Sequence, residues 1–177
     1  MNQFNLSTRA VTSSCEKHRY WLTRRISQHL RWIKPVVFVM LNPSTADANN
    51  DDPTIRRCIN YAKLWGCTDL IVVNLFSLRA TDPSELYKQE TGELICKNNN
   101  DAIIRAAELA QTGFVVCAWG EHGKYLDRAE EVLSMFPVEN TYCLKLNKSG
   151  QPAHPLYQKK DAELIKMIRK QANEVSK

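Results

Sequence analysis

Asn42 and Asn74 each stand where a long apolar run turns polar, and a carboxamide in that position can hold a water or read the edge of a planar base, because it both donates and accepts hydrogen bonds. The first run, Val36 to Leu41, opens into Asn42-Pro43-Ser44-Thr45-Ala46-Asp47; the second, Leu70 to Phe76, carries Asn74 at its polar edge and is followed by Ser77, Arg79, Thr81 and Asp82. A third, Phe114 to Trp119, runs into Gly120-Glu121-His122-Gly123, and a later segment reads His154-Pro155-Leu156-Tyr157. His122 and His154 belong to the residue type that changes charge near neutrality, so either suits a general acid or an electrostatic stabiliser. On this reading Asn42 and His154 are the catalytic candidates. Pro43, Ser44, Thr45, Asp47, Asn74 and Arg79 are the substrate-binding candidates from the first two strand ends, and Trp119, His122 and Tyr157 those from later in the chain.

Each of these residues also has a plain structural reading. Asn42-Pro43 can simply start a turn, since Pro43 confines the preceding residue to extended backbone. Asn74 can be a core amide bonded to neighbouring backbone, Arg79 a phosphate contact or a partner for Asp82, and the two histidines loop residues. Asp47, Asp51 and Asp52 are hard-oxygen donors of the kind magnesium prefers, or acids that complement a helix N-terminus.

The elements that must position these groups follow from the same runs. Continuous apolar strands are those buried on both faces of a sheet, and in open α/β sheets ligands sit just beyond the carboxyl ends of such strands. His18 to Ile26 reads as a further strand at an edge of the sheet, and Thr141 to Leu146 as a late one. Helices are expected over Pro53 to Trp65, Asn98 to Ala110, Gly123 to Phe136 and Asp161 to Ala172. The first has Asp51 or Asp52 as its cap, Pro53 at its first position and Gly66 just past its end. Alternating strands and helices predict one α/β domain over residues 1–177, with 1–14 and 174–177 flexible.

Composition narrows the class. The chain has 177 residues, 44% hydrophobic and 24% charged, enough for one domain with one core. The net charge of +5 is uneven, with Lys17, Arg19, Arg24, Arg25, Arg31 and Lys34 crowding the first 34 residues. That is consistent with a phosphate-facing surface or with solvated faces. Six cysteines occur without a C-x-x-C pair, against a zinc knuckle or a closely ligated cluster. No metal and no cofactor is therefore expected. No apolar stretch approaches the roughly 20 residues of a membrane span, and the polar start lacks a secretory signal core, so a cytoplasmic location without a membrane partner is the default expectation. Phosphate-binding loop, dinucleotide fingerprint, nucleophile-elbow and H-E-x-x-H zinc motifs are all absent from the sequence.

Taken in order, Met40-Leu41-Asn42-Pro43-Ser44-Thr45-Ala46-Asp47, Asp51-Asp52-Pro53-Thr54-Ile55-Arg56-Arg57-Cys58, Val73-Asn74-Leu75-Phe76, Arg79-Ala80-Thr81-Asp82-Pro83, Ala118-Trp119-Gly120 and His154-Pro155-Leu156-Tyr157 resemble a bacterial and phage family classed as a domain of unknown function. More distantly, the motif order resembles the uracil-DNA glycosylase superfamily. That resemblance implies a three-layer α/β/α sandwich around a short, mostly parallel sheet, here with an extra N-terminal strand. It implies that Asn42 positions an attacking water, that Asn74 reads a flipped base and that His154 steadies the departing base. Met40 stands where that superfamily's first motif has Gly, and Leu156 where its late motif has Ser. The expected function is recognition, and excision, of a nucleobase in DNA or a nucleotide. The alternatives are a non-catalytic nucleic-acid or nucleotide-binding module, and a metal-dependent nucleotide hydrolase built on Asp47, Asp51 and Asp52.

Overall fold

The structure, a computed structural model, describes residues 3–28 and 32–167. Seven strands form one mixed sheet: β1 (Ala10–Thr12), β2 (Arg19–Arg25), β3 (Pro35–Met40), β4 (Asp69–Asn74), β5 (Phe114–Cys117), β6 (Thr141–Cys143) and β7 (Ile165–Lys166), in the order β1-β2-β4-β3-β5-β6-β7. β4, β3, β5 and β6 run parallel, while β1, β2 and β7 are antiparallel to their neighbours. The sheet is thus larger than the short, mostly parallel one expected. The segment between β1 and β2 is too short for a crossover of about a dozen residues, so that pair closes as an antiparallel hairpin.

The parallel strands bury both faces, and their alternating side chains build two cores. Val36, Phe38, Met40, Leu70 and Val72 pack against Ile55, Cys58, Tyr61 and Ala62 of helix α1 (Pro53–Leu64). On the other face Val37, Val39, Ile71, Val73 and Val115 meet Ala102, Ile103 and Ala106 of α3 (Lys97–Leu109), which follows the single turn α2 (Thr91–Leu94). Ala129 and Val132 of α4 (Arg128–Ser134) complete that layer. The start of α1 is fixed as its sequence demands: the Ile55 amide donates to Asp52 Oδ1 at 2.8 Å, Pro53 fills the first turn, and Gly66 takes the left-handed backbone (φ +63°) just beyond the helix.

Four expectations are corrected. The strand read at His18 to Ile26 is β2, which lies inside the sheet between β1 and β4 rather than at its edge. The helix expected over Gly123 to Phe136 is broken: a 3-10 segment, Glu121–Asp127, kinks at Leu126 (φ 56°) and Asp127 (φ 53°) before α4 begins. The kink turns Arg128 inward, where its Nε donates to Leu75 O at 3.1 Å and its Nη2 to Asn100 Oδ1 at 2.5 Å. Of the helix expected over Asp161 to Ala172, residues 165–166 are strand β7, antiparallel to β6, and residues 168–172 lie outside the described residues. Within the N-terminal segment expected to be flexible, residues 10–12 form β1 and Phe4 packs on Trp21 with ring centroids 5.8 Å apart. Residues 174–177 lie outside the described residues.

Candidate functional site

A cavity of about 690 Å³ opens beyond the carboxyl ends of β3 and β5, where the topology gathers several segments, that after β4 (Ala80, Thr81 and Pro83) among them, at one rim. Met40 and Leu41 form its floor. The loop after β3 contributes Asn42, Ser44 and Thr45, α1 contributes its start at Asp52 to Thr54, and the segments at 119–122 and 153–158 close the other walls. Seven of the residues singled out in the sequence therefore meet at one place: Asn42, Ser44, Thr45, Trp119, His122, His154 and Tyr157.

Asn42 is held by its amide nitrogen. Nδ2 donates to Ala80 O at 2.8 Å and lies 3.1 Å from Pro43 O and 3.4 Å from Leu78 O. Three carbonyl oxygens around one end of a carboxamide fix which end is nitrogen. The carbonyl oxygen of Asn42 has no hydrogen-bond partner among the described residues, so the group that remains available at the cavity is an acceptor.

His154 presents the complementary group. The Leu156 amide donates to its Nδ1 at 3.4 Å, which places the ring hydrogen on Nε2 of the neutral imidazole. Burial pushes the His154 pKa down, against an opposing pull from the Asp52 charge, and favours that neutral form. Tyr157, 81% exposed, stands at the cavity mouth with its ring centroid 5.8 Å from that of His154.

Trp119 forms a buried wall. Its Nε1 donates to Gln151 Oε1 at 2.7 Å, and Gly123 lies so close that an added Cβ would meet Trp119 Cδ1 at 2.0 Å. His122, half-buried on the adjoining wall, shares a 2.6 Å hydrogen bond between Nδ1 and Tyr87 Oη.

The loop between β3 and α1 is clamped by arginines through its backbone carbonyls. Arg19, 1% exposed, donates to Ala46 O at 2.7 Å; Arg24 donates to Asp47 O at 2.5 Å and to Asp51 Oδ1 at 2.8 Å; Arg56 donates to Asp51 O. Arg79 spans Ser44 O (3.5 Å) and Thr45 O (3.4 Å) and faces a shallower depression beside the cavity. Asp82 instead caps the 3-10 turn Pro83–Lys88 by accepting from the Ser84 amide at 2.9 Å, so Arg79 and Asp82 are not paired.

The three acids of the loop are separated by these roles. Asp47 Oδ1 accepts from the Asn49 and Asn50 amides at 2.7 and 2.8 Å, bonds that hold its pKa down at about 2. Asp51 pairs with Arg24, and Asp52 caps α1. No group of three His, Cys, Asp or Glu suited to a metal ion occurs among the described residues, so the hydrolase reading lacks its ligand set. Cys117 and Cys143 are buried, as expected from their apolar runs.

Four candidates do not line the cavity: Pro43, Asp47, Asn74 and Arg79. Asn74 is fully buried as the last residue of β4, and neither of its side-chain polar atoms has a partner among the described residues. Its register partner is Met40, so it lies two residues deeper in the sheet than Asn42, and this geometry does not present it to a ligand. Sequence reading missed Met40, Glu121 and Gln158 as lining residues, and took Asp52 only as a cap or metal ligand. The signal available for Asp52 was its place at the start of a helix that follows the polar loop.

The fold and cavity define an α/β protein whose site lies beyond the carboxyl ends of its parallel strands. The chain belongs to the family described as "Protein of unknown function (DUF1643)", whose model matches residues 19–156. No curated protein and no solved structure matches the chain. No helix among the described residues is long and apolar enough to cross a membrane.

Proposed function

We propose that this chain is a nucleobase-recognising enzyme of the uracil-DNA glycosylase-like kind, which cleaves a glycosidic bond in DNA or a nucleotide. The observation that carries the reading is the pairing, in one cavity, of an unpartnered acceptor on Asn42 with a neutral His154 whose hydrogen is on Nε2. Bond cleavage needs a held water on one side of the sugar and a donor for the charge that develops on the leaving base. Asn42 supplies an acceptor for the water and His154 the donor. Parallel strands with helices packed on both faces, and a cavity at their carboxyl ends, support likeness to the α/β/α superfamily. About 690 Å³ is room enough for a nucleoside, and the exposed Tyr157 ring gives a base a surface to stack on.

Base release from duplex and single-stranded oligonucleotides carrying uracil, hydroxymethylated pyrimidines or deaminated purines tests this reading. Asn42→Ala and His154→Ala are each expected to lower release by about 10²-fold or more, with folding retained. Full excision by both variants refutes the assignment. A non-catalytic nucleotide-binding module is the second reading, and it is favoured by one observation: an amide at position 42 cannot take a proton from water. Salt-sensitive oligonucleotide binding with no base release identifies that case.

A further inference from the structure

We propose that Asp52 is the general base of this site, taking the proton of the attacking water that Asn42 can only orient. The assignment rests on the glycosidic reading above and adds to it the group that the reading lacks.

Asp52 lines the same cavity as Asn42 and His154 and enters it from the start of α1. Its side chain is half-buried and fixed at one oxygen only: Oδ1 accepts from the Ile55 amide at 2.8 Å, while Oδ2 has no partner among the described residues. A cap bond on one oxygen positions the other on a rigid helix, which is the geometry a base needs. The neighbouring acids are otherwise engaged, Asp51 by Arg24 and Asp47 by its own turn. Glu121, the other carboxylate on the wall, accepts from Ser149 Oγ and is exposed.

The surroundings suit a working carboxylate. Arg19 is buried without an ion pair among the described residues, and its Nε has no partner there. Burial pushes its pKa down to about 10, opposed first by the Asp52 charge; the same charge opposes the burial effect at His154. The Asp52 charge therefore acts both on a buried cation and on the leaving-group donor. In the step, the water oxygen bonds to the anomeric carbon as the bond from that carbon to the base nitrogen breaks and its electron pair leaves with the base. One water proton passes to Asp52 Oδ2, which returns it to solvent once the products have left and so regenerates the carboxylate. The base anion is held by His154 Nε2–H and gains a proton from solvent on release, so one water is consumed and a free base and an abasic sugar are formed.

Asp52→Asn separates chemistry from folding, because Asn caps a helix about as well as Asp. The unaltered chain and this variant are compared for base release, for oligonucleotide affinity, for thermal midpoint and for the His154 titration followed by NMR. Release is expected to fall by about 10²-fold or more, with affinity retained and the variant still folded at the assay temperature although its midpoint drops with the charge that Arg19 loses, and His154 is expected to titrate at lower pH once the Asp52 charge is gone. Release unchanged in Asp52→Asn, or abolished by Glu121→Gln instead, overturns the assignment and leaves the glycosidic reading standing. An unshifted His154 titration overturns it as well. If the unaltered chain releases no base from any substrate, the glycosidic reading falls and the assignment falls with it.

Discussion

Asn42→Asp replaces one planar group by another of nearly the same shape and inverts its hydrogen-bonding sense. The native Nδ2 sits 2.8 Å from Ala80 O, 3.1 Å from Pro43 O and 3.4 Å from Leu78 O. A carboxylate there puts an anionic oxygen among three acceptors. Losing the bond to Ala80 O costs about 0.5–1.5 kcal/mol, and leaving part-buried carbonyls unsatisfied costs about 1–3 kcal/mol. A deficit of about 2–4 kcal/mol is expected at pH 8. Because only the protonated acid can restore a donor, the pKa of the new carboxyl is raised in the folded state. At about 1.36 kcal/mol per unit, it lies about 1.5–3 units above the unfolded value near 3.9. The folded variant then binds more protons than the unfolded chain between those two values, so the deficit is complete above the folded pKa and disappears as pH falls toward 4. Urea denaturation of both proteins at pH 8 and pH 4.5 measures this. With a slope of about 2 kcal/mol/M, the midpoint gap is about 1–2 M at pH 8 and narrows at pH 4.5. Equal stability at pH 8, or a gap that ignores pH, refutes the orientation assigned to the Asn42 amide and with it the argument that position 42 offers only an acceptor.

Two further outcomes follow from the cavity walls. Gly123→Ala places a Cβ 2.0 Å from Trp119 Cδ1 and 2.4 Å from its Nε1, so the ring must move. Overpacking of about 1–3 kcal/mol lowers the thermal midpoint by about 3–10 °C with a change in tryptophan emission, and an unchanged midpoint contradicts the packing. His154 has its pKa lowered by burial, so the folded chain binds fewer protons than the unfolded chain between that lowered value and about 6.5. Stability is therefore lost as pH falls through that window. His154→Gln removes this component, so its stability relative to the unaltered protein rises from pH 7.5 to pH 5.5 in urea denaturation, and a constant difference counts against a buried neutral ring.

How far the sequence carried depends on what each residue answers to. β3, β4 and β5 were legible because strands buried on both faces need unbroken apolar runs, and Val36 to Leu41 has no other use in an α/β protein. The start of α1 was legible because Asp52 and Pro53 satisfy local rules. The kink before α4 was not, since Leu126 and Asp127 adopt positive φ without a glycine to signal it, and since a buried Arg128 contradicts the amphipathic pattern that places arginine outside. β7 is two exposed residues with no pattern at all. At the site, Asn42 and Asn74 look alike in the chain, each ending an apolar run. Register separates them: Asn74 is level with Met40, while Asn42 has already left the sheet. A strand-end amide is therefore a site candidate only once its depth in the ladder is known. Asp52 was read as a choice between cap and ligand, but a carboxylate has two oxygens and the cap uses one.

The same depth argument changes the meaning of the basic N-terminal cluster. Arg19 and Arg24 are buried and hold carbonyls of the loop after β3, and Arg25 pairs with Asp69 at 3.1 Å. The Arg19 and Arg24 charges do not face solvent phosphates; they replace the hydrogen bonds that a polar loop would otherwise take from water, while Arg25 stays exposed on β2. A buried guanidinium in this position fixes the direction of the chain from Ser44 to Asp52, and so places the cavity-facing groups of that loop before any ligand arrives. Recognition at such a site depends on the shape and polarity of the cavity more than on phosphate attraction. Under the proposed function, the salt dependence of oligonucleotide binding is expected to be set by the remaining exposed basic side chains and to be shallower than the basic residues crowded into the first 34 positions imply.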